Sequence, residues 1–439
     1  MSASEQGGPR VSRRDFGRLF AAAAATVPLG GAVAQTSQSR ARIVIAGAGA
    51  AGVAMASRLT KLLPGASITI VDARKEHLYQ PGYTLVAAGV YRAGDVIDDT
   101  ARHLPRSVKW VQEFVAEFDP DGNTLTTTGG QKIPYDFLVV TTGLKLDYAG
   151  IEGMDVSLLG SNGIASVYAS PQSAHTCFGQ VTQFIEKGGT GLFGRPRTEM
   201  KCAGAPLKFA MIAEDRLRRA GKRDHAKLVY YTPFTNLFGV VPVHERLKGI
   251  FEERAISVSY ERDLVSIDPA RKIAKFKTPG GSEELGYDFI HVVPPQRAPD
   301  AIRNSSLPWK QGPLAADGWV ETNRDTMQHA RFANVFVVGD IAGVPRGKTA
   351  ASVKWQAPVA AANLVSVIEG KPQREIYNGY TSCPMVTAIG KAMLIEFDYA
   401  GKLTPSFPFI DPLQENWVAW AMKEQALKPM YYAMLGGRV

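Results

Sequence analysis

From residue 41 onward, short apolar runs rich in β-branched side chains alternate with helical stretches. Residues 41–46 form the first run, a glycine-rich turn and a helical stretch to about Leu63 follow, and Ser67–Val71 is the next run. Runs that are apolar at consecutive positions are typical of strands buried on both faces of a parallel sheet. The pattern therefore predicts a strand–helix–strand unit at the beginning of an α/β fold.

The turn between the first strand and the first helix carries three spaced glycines, Gly47, Gly49 and Gly52. Asp72 follows the third glycine by 20 positions, directly after the second strand. Glycines at this spacing let the backbone approach a pyrophosphate at a helix N-terminus, and an acid at this distance binds ribose hydroxyls. The unit therefore predicts a bound dinucleotide.

Two later apolar strands end in small or acidic residues. One runs into Thr142 and Gly143, and the other runs into Gly339 and Asp340. Parallel strands deliver such residues to a ligand at their carboxyl ends. With Asp340 accepting hydrogen bonds from ribityl hydroxyls, the pattern favours FAD as the dinucleotide.

The region between these two strands, roughly residues 155–295, lacks a second glycine fingerprint. Residues 190–197 stand where a nicotinamide-dinucleotide site would need one, and Pro196 occupies the expected phosphate loop. NAD(P) binding is therefore not expected here. The region instead holds Cys202, just before a predicted helix.

Length, charge and cysteine content limit the classes of protein to which this chain can belong. The 439 residues carry a net charge of +9, and 45% of them are hydrophobic, which suits two or three globular domains. Cys177, Cys202 and Cys383 are too few for a disulfide scaffold, and no metal-ligand spacing is visible. The basic charge favours an anionic membrane surface or an anionic substrate. We expect no nucleic-acid binding, because no recognition motif or basic stripe accompanies the charge.

The N-terminus has the features of a targeting segment. Residues 12–18, Ser-Arg-Arg-Asp-Phe-Gly-Arg, form a twin-arginine pattern, and an alanine-rich stretch and a small-residue cleavage signal before Gln35 follow. The apolar stretch is too short to span a membrane. These features predict a twin-arginine signal peptide over residues 1–34 and export to the periplasm.

Two cysteine motifs on a scaffold with a single dinucleotide fingerprint set this chain apart. Cys202 lies in Lys-Cys-Ala-Gly-Ala-Pro, and Cys383 lies in Thr-Ser-Cys-Pro. With these motifs the chain resembles the sulfide:quinone oxidoreductases, in particular their mitochondrial-type branch, among the disulfide-reductase-like flavoproteins. The resemblance covers essentially the whole chain after the leader, and further stretches that carry it are residues 77–81, 236–240, 291–295, 347–351, 379–384 and 396–399.

The resemblance implies an α/β fold with two Rossmann-like dinucleotide-binding domains. Residues 41–154 and 296–375 form the FAD-binding domain, which a second, NAD-domain-like insertion of residues 155–295 interrupts. Residues 376–439 form a C-terminal domain that carries Cys383 and an amphipathic membrane-surface segment. FAD is expected to be noncovalent, because no cysteine follows the second strand, where related sulfide dehydrogenases tether the cofactor.

The resemblance also implies the chemistry of the site. Cys202 and Cys383 form the disulfide that oxidises hydrosulfide, with Cys383 carrying the persulfide and Cys202 facing the flavin as a thiolate. Lys348 and the helix after it stabilise the anionic reduced flavin. Electrons then pass to a membrane quinone, which Phe397 and Tyr399 are expected to stack. Sulfide, glutathione, sulfite, cyanide and polysulfide stay open as sulfur acceptors.

The C-terminal region, residues 398–439, repeats aromatic and apolar side chains among basic ones. This composition suits an interfacial helix, and by resemblance the region docks on the outer face of the cytoplasmic membrane and admits quinone. The alternatives are a helix that packs in the core and a contact within a homo-oligomer. Cys177, on a predicted helix without a family motif, is interpreted as a core residue.

Three other functions stay open at this level. A flavocytochrome-type sulfide dehydrogenase would donate electrons to a cytochrome c, but the tethering cysteine of that class is missing. An NADH:quinone reductase of the same fold would need the absent second fingerprint. A non-catalytic flavoprotein redox sensor would respond to sulfide without turnover.

Overall fold

Two parallel sheets organise residues 36–439, the part of the chain that the computed structural model describes. The first sheet has the strand order Val335–Val337, Phe137–Val140, Arg42–Ala46, Ser67–Val71 and Lys109–Val111. The second has the order Ile164–Ala165, Phe289–His291, Gly189–Gly194, Ala226–Tyr231 and Ile256–Ser259. Neighbouring strands run parallel throughout both sheets. The predicted α/β class is confirmed.

Helices pack against strands of both sheets. Numbered in chain order, they are α1 (Ala50–Leu62), α2 (Tyr83–Ala87), α3 (Pro171–Lys187), α4 (Ala205–Arg219), α5 (Val241–Glu253), α6 (Asp300–Arg303), α7 (Ala350–Ile368), α8 (Trp417–Ala421) and α9 (Leu427–Leu435). The other strands form small sheets: Glu76–Leu78 with Ile97–Asp99; Val115–Asp119, Thr124–Thr127 and Lys132–Pro134; Lys145–Leu146 with Gln296–Arg297; Asp263–Asp268, Ile273–Thr278 and Gly281–Gly286; Val320–Glu321 with Ala342–Gly343; and Thr381–Ala388 with Lys391–Phe397.

The predicted strand–helix–strand unit is present at the start of the described chain. Its two strands pair in register from Arg42 opposite Ser67 to Ala46 opposite Val71. Helix α1 lies between them in sequence and ends just before Pro64, which cannot continue a helix. The predicted signal peptide, residues 1–34, lies outside the described residues.

The chain returns to the first sheet after the second sheet is complete. Val335–Val337 adds to the first sheet beside Phe137–Val140, whereas the strands of the second sheet all lie between these two segments in sequence. This order is the one expected for a domain interrupted by an insertion. The boundaries proposed for the four segments stay a prediction.

An antiparallel β-hairpin near the C-terminal end of the chain carries Cys383. Strands Thr381–Ala388 and Lys391–Phe397 pair antiparallel, with Cys383 opposite Ile395. The first of these strands packs against α4. Since α4 begins just after Cys202, the hairpin brings the two motif cysteines into the same region.

The C-terminal segment is only partly as predicted. Helices α8 and α9 flank a π-helical turn, Met422–Ala426, and α9 packs against α1. Tyr431 and Met434 are buried, and Arg58 of α1 donates a hydrogen bond to the Met434 carbonyl at 3.2 Å. Much of the apolar surface that is predicted to contact a membrane therefore packs against the rest of the protein. Within residues 36–439, no helix has both the length and the apolar character needed to cross a membrane.

Candidate redox site

A glycine cradle lies between the first strand and α1. Gly47 has a φ of +107°, and a Cβ atom there would lie 2.6 Å from the Thr141 carbonyl oxygen. A Cβ at Gly52 would lie 1.8 Å from the Gly47 carbonyl oxygen, but one at Gly49 would meet no described atom within 4 Å. The fold itself requires the first and third glycines, whereas the second faces open space, as a pyrophosphate site requires.

Asp72 lies at the edge of this cradle. Its buried carboxylate accepts hydrogen bonds from the Ala48 amide and from the Arg74 guanidinium, both at 2.7 Å. Burial raises the pKa of Asp72, but the Arg74 charge and the hydrogen bonds outweigh burial and lower it overall. The acid predicted to bind ribose is therefore an ionised group held beside the glycine turn.

Thr142 and Gly143 follow the neighbouring strand, as predicted. The Thr142 hydroxyl is buried and has no hydrogen-bond partner within the described chain. Gly143 has a φ of +70°, and a Cβ there would meet no described atom within 4 Å. An unpaired buried hydroxyl costs roughly 1–3 kcal/mol, so a ligand at this place would stabilise it. Together with Gly49, these residues fit a bound FAD.

Gly339 and Asp340 end the strand at the edge of the first sheet. Gly339 has a φ of +88°, and its amide donates to the Gln356 side chain of α7 at 2.9 Å. Burial raises the pKa of Asp340, and the charges of Lys201 and Lys348 oppose that rise. Two lysine charges, those of the partly buried Lys201 and the buried Lys348, therefore act on the acid that is predicted to bind the ribityl chain.

Lys348 lies just before α7, the helix that is predicted to point at the flavin. Its ammonium group donates to the carbonyls of Asp340 at 2.6 Å and Ala342 at 3.2 Å, and it lies 3.6 Å from the centre of the Trp319 ring. Burial lowers the pKa of Lys348 to about 8. Carbonyls and an aromatic face hold this charge, and its role toward reduced flavin stays a prediction.

The backbone of Cys202, which precedes α4 in sequence, is hydrogen-bonded to Lys348, just before α7. The Cys202 amide donates to the Lys348 carbonyl at 3.0 Å, and the Cys202 carbonyl accepts from the Tyr168 hydroxyl at 3.1 Å. Its φ of +49° is a left-handed conformation that costs a non-glycine residue about 1–3 kcal/mol. The hydrogen bonds hold this strained residue beside the Lys348 end of the cradle.

The thiol of Cys383, which belongs to the hairpin strand, lies against Gly204 at the N-terminal end of α4. A Cβ at Gly204 would lie 2.5 Å from the Cys383 sulfur and 2.9 Å from Cε of Met385. The thiols of Cys202 and Cys383 hydrogen-bond to each other. The glycine two positions after Cys202 is thus the residue that permits the approach of the two sulfurs.

The two thiols have opposite electrostatic environments. The hydrogen bond from Cys383 lowers the pKa of Cys202 well below its ordinary value, and the charges of Lys208 and Lys423 add to this effect against burial. The Lys208 ammonium lies 3.8 Å from the Cys202 sulfur. The same hydrogen bond, together with burial, raises the pKa of Cys383. Of the two thiols, Cys202 is therefore the one that ionises more readily.

Lys423 is a site residue that the sequence interpretation missed. It was grouped with the membrane-facing segment, but it lies in the π-helical turn and is only 3% exposed. The sequence gives little signal for it, because Lys423 ends the apolar run of residues 417–422 and is followed by Glu424 and Gln425, as an exposed helical lysine would be.

The two residues predicted to stack quinone lie in different surroundings. Phe397 is buried, with its ring edge-on to Phe238 at 5.8 Å. Tyr399 packs against Tyr377 at 5.4 Å, and its hydroxyl donates to the Arg324 carbonyl at 3.1 Å. The structure gives no contact between the two rings, and their quinone role stays a prediction.

Cys177 is not part of the cysteine pair. It lies in α3, fully buried in the main hydrophobic core. Burial raises its pKa well above the ordinary value, so it is a poor nucleophile. These observations agree with its interpretation as a core residue.

Gly204→Ala is expected to separate the two thiols. The backbone of Gly204 is in the right-handed helical region, so alanine strains no dihedral and the effect comes from its Cβ pushing on the Cys383 sulfur. Without the hydrogen bond, the pKa of Cys202 rises, and its alkylation by iodoacetamide at pH values below that pKa slows roughly tenfold for each unit of the rise. Gly179→Ala, in open space on α3, is the control and should leave the alkylation profile unchanged.

Comparisons with known proteins agree with this geometry. The model of the pyridine nucleotide-disulphide oxidoreductase family matches residues 41–173. The chain is 33% identical over 408 residues to the mitochondrial sulfide:quinone oxidoreductase of Mus musculus, covering 91% of this chain and 87% of that protein. It is 36% identical over 401 residues to the mitochondrial sulfide:quinone oxidoreductase of Dictyostelium discoideum, covering 90% and 86%.

A solved structure has the same fold. The sulfide:quinone oxidoreductase from the hyperthermophilic bacterium Aquifex aeolicus matches with a TM-score of 0.76 at 23% identity. The match covers 91% of this chain and 92% of that one. Both parallel sheets therefore belong to a known architecture.

The predicted periplasmic location is wrong. Both of the sequence relatives are named as mitochondrial proteins, which points to a mitochondrial location rather than to twin-arginine export. An N-terminal segment with arginines and few acids is also typical of mitochondrial transit peptides, so the arginine pair alone does not separate the two routes. The pattern itself lies outside the described residues.

Proposed function

Because the chain belongs to the sulfide:quinone oxidoreductase family, as an FAD-dependent enzyme that oxidises sulfide with quinone as acceptor, we propose that Cys202 and Cys383 carry the sulfide chemistry. The observation that supports this assignment is the asymmetric thiol pair. Cys202 is hydrogen-bonded to the Lys348 backbone beside the proposed FAD site, whereas the Cys383 sulfur lies against Gly204 at the start of α4. We therefore assign Cys202 to the cofactor side of the pair and Cys383 to the substrate side.

The proposed reaction begins with the two cysteines joined as a disulfide. Hydrosulfide attacks the Cys383 sulfur, a bond forms between these two sulfurs, and the bond between the cysteines breaks. The electron pair of the broken bond goes to Cys202, so the products are a persulfide on Cys383 and a thiolate on Cys202. No atom or electron is left over in this step.

The surroundings of Cys202 favour this leaving group. The Lys208 ammonium contacts the Cys202 sulfur, and α4 begins three positions after Cys202. Both stabilise negative charge on the sulfur. Bound FAD supplies the two-electron acceptor for this thiolate, and Gly47, Gly49, Gly52, Asp72, Thr142, Gly143, Gly339, Asp340 and Lys348 are the residues proposed to hold it.

The proposed function is tested by an anaerobic titration of the purified protein. Sulfide is added while the flavin absorbance is followed, and a soluble quinone is added afterwards. We expect sulfide to bleach the flavin and quinone to restore it, whereas NADH leaves it oxidised. Bleaching by NADH but not by sulfide would instead favour an NADH:quinone reductase.

Lys208→Met is expected to shift the pH dependence of flavin reduction by sulfide. The hydrogen bond from Cys383 and the Lys208 charge both lower the pKa of Cys202, so its thiolate is lost as the pH falls through that lowered pKa. Methionine keeps the volume and removes the charge, so the pKa of Cys202 rises and the acid-side loss of rate moves to higher pH. On that acid side the rate falls roughly tenfold for each unit by which the pKa rises.

We further propose that the segment before α8 and the start of α8 contact a membrane surface. Phe409 is 81% exposed, Trp417 50% and Val418 41%, and exposed apolar side chains clustered in sequence are unusual on a protein surface facing water alone. The net charge of +9 adds attraction to anionic lipid. The quinone would then reach the protein from the bilayer.

The membrane proposal is tested by sedimentation with anionic vesicles. Phe409→Ser combined with Val418→Ser is expected to lower vesicle binding at least about tenfold, because each apolar side chain contributes on the order of 1.5–3 kcal/mol when buried. Val241→Ser, on a valine of α5 that is 72% exposed, is the control and should bind as the unaltered protein does. Equal binding by both variants would contradict the proposal.

A further inference from the structure

Lys423 is a buried charge that the reaction described so far does not use. It lies in the π-helical turn between α8 and α9, and its ammonium group donates a hydrogen bond to the carbonyl of Pro81. None of the ion pairs within residues 36–439 includes it. A π-helical turn carries one extra residue within a helix and is frequently found at functional sites. Here it points a lysine into the protein.

The groups that face Lys423 are the reacting thiols and a second lysine. The Pro81 carbonyl that holds Lys423 follows Gln80, whose side-chain oxygen accepts a hydrogen bond from Lys201 at 2.7 Å, and Lys201 directly precedes Cys202. Within the described chain, the titratable groups that act on Lys423 are Lys208, Cys202 and Cys383. Burial and the neighbouring Lys208 charge lower the pKa of Lys423 to about 7, and the thiols oppose this change. Near neutral pH a substantial fraction of this side chain is therefore a free amine, which is a base.

The two lysines differ in what they contact. The Lys208 ammonium lies 3.8 Å from the Cys202 sulfur, and the thiols raise its pKa above the ordinary value although burial opposes them. Lys208 therefore stays charged and stabilises the thiolate. Lys423 is held by a backbone carbonyl instead, so its nitrogen keeps a lone pair available whenever it is deprotonated.

The reaction needs such a base. Moving an anion from water into a buried site is costly, so the neutral form of the substrate, hydrogen sulfide, enters more easily than hydrosulfide. The neutral form is a weak nucleophile, because the thiolate-type anion is the species that attacks a disulfide. A group at the cysteine pair must therefore remove a proton after entry.

We propose that Lys423 is the proton acceptor that converts bound hydrogen sulfide into hydrosulfide at the cysteine pair. The amine takes one proton from hydrogen sulfide, and the resulting hydrosulfide attacks Cys383. The products are a persulfide that keeps the second proton, a Cys202 thiolate and a Lys423 ammonium. Charge is conserved, because one cation and one anion form from neutral reactants. This inference rests on the proposed role of the cysteine pair.

The test compares three variants in rapid-mixing measurements of flavin reduction by sulfide. Lys423→Met removes both charge and base, and Lys423→Arg keeps the charge but cannot accept a proton near neutral pH. We expect both to slow reduction by about 10²-fold at pH 6.5, in the range attributed to general bases. The loss should shrink as the pH rises, because sulfide then arrives already ionised. Lys428→Met, on the next turn of the same segment, should keep the full rate.

A second measurement covers the case in which the larger side chains disturb packing. Lys423→Ala leaves a space beside the thiols, and added methylamine should restore part of its lost rate in proportion to the free-base concentration. Rates of flavin reoxidation by quinone, FAD content and melting temperature are recorded for each variant, and the proposal expects reoxidation to be unchanged.

The outcomes separate this inference from the proposed function. If the unaltered protein is not reduced by sulfide, or if Cys383→Ser is reduced normally, the cysteine chemistry itself is wrong. If that chemistry holds but Lys423→Arg retains the rate that Lys423→Met loses, the lysine acts only through its charge and the proton-acceptor role is overturned. Full rates in both variants, or no effect of methylamine on Lys423→Ala, also overturn it.

Discussion

Cys202→Ser and Cys383→Ser are each expected to abolish reduction of FAD by sulfide, with a loss on the order of 10³-fold or more. Serine is close in size to cysteine, but its hydroxyl is not ionised near pH 7 and cannot form the sulfur–sulfur bonds of the proposed reaction. The loss is measured as the rate of flavin bleaching after anaerobic mixing with sulfide. Reduction of the flavin by a chemical reductant such as dithionite should be unaffected, because it needs neither thiol.

Cys177→Ala is the matched control for these two variants. The third cysteine is fully buried and lies in α3 within the hydrophobic core. Its replacement is expected to lower the melting temperature modestly and to leave the bleaching rate within about twofold, because only one sulfur atom is removed from the core. A comparable loss of rate in Cys177→Ala would show that the assay reports on packing rather than on the thiol pair.

The two active-site variants should also differ from each other. In Cys383→Ser, Cys202 loses the thiol that lowers its pKa most strongly, so alkylation of Cys202 shifts to higher pH. In Cys202→Ser, Cys383 loses the interaction with the Cys202 thiol that raises its pKa most strongly, and burial alone still raises that pKa, so its alkylation should be slower than that of Cys202 in the unaltered protein. Normal bleaching in either serine variant would contradict the assignment of the pair.

The sequence indicates the cysteine pair and the FAD cradle because local patterns specify both. Glycine spacing after a buried strand is enough to identify the cradle, since only glycine tolerates the contacts seen at Gly47 and Gly52. The cysteines are recognised by their motifs, and the helix predicted just after Cys202 begins at Ala205. Such features depend on residues that are neighbours in the chain.

The parts that the sequence did not indicate depend on distant contacts. Lys423 becomes a site residue only because α9 packs on α1 and a π-helical turn rotates this side chain inward, toward Lys208 and the thiols. The amphipathic pattern of residues 398–439 predicts a face that needs covering, but it does not say whether lipid or protein covers it. In the structure, protein covers part of that face, because α8 packs on the strand Lys391–Phe397 and α9 packs on α1.

Gly52→Ala is expected to abolish FAD binding and to destabilise the fold. The added Cβ would lie 1.8 Å from the Gly47 carbonyl oxygen and 2.8 Å from the Thr141 hydroxyl oxygen. The first contact is with backbone, so α1 must move away from the first strand and the cradle opens. We expect the purified variant to lack flavin absorbance and to melt several degrees lower, since overpacking typically costs about 1–3 kcal/mol.

Gly52→Ala is expected to impair both FAD binding and fold stability, whereas Gly49→Ala should impair FAD binding alone. Its Cβ would meet no described atom within 4 Å, and Gly49 has a negative φ of −74°, so alanine costs the folded chain little. Only a ligand in the open space would feel it. We therefore expect the fold to persist, with the melting temperature of FAD-free protein unchanged, while the affinity for added FAD falls at least about tenfold. Unchanged FAD affinity would mean that the pyrophosphate of the cofactor does not lie in the open space beside Gly49. The glycines would then serve only the packing of α1 against the first sheet.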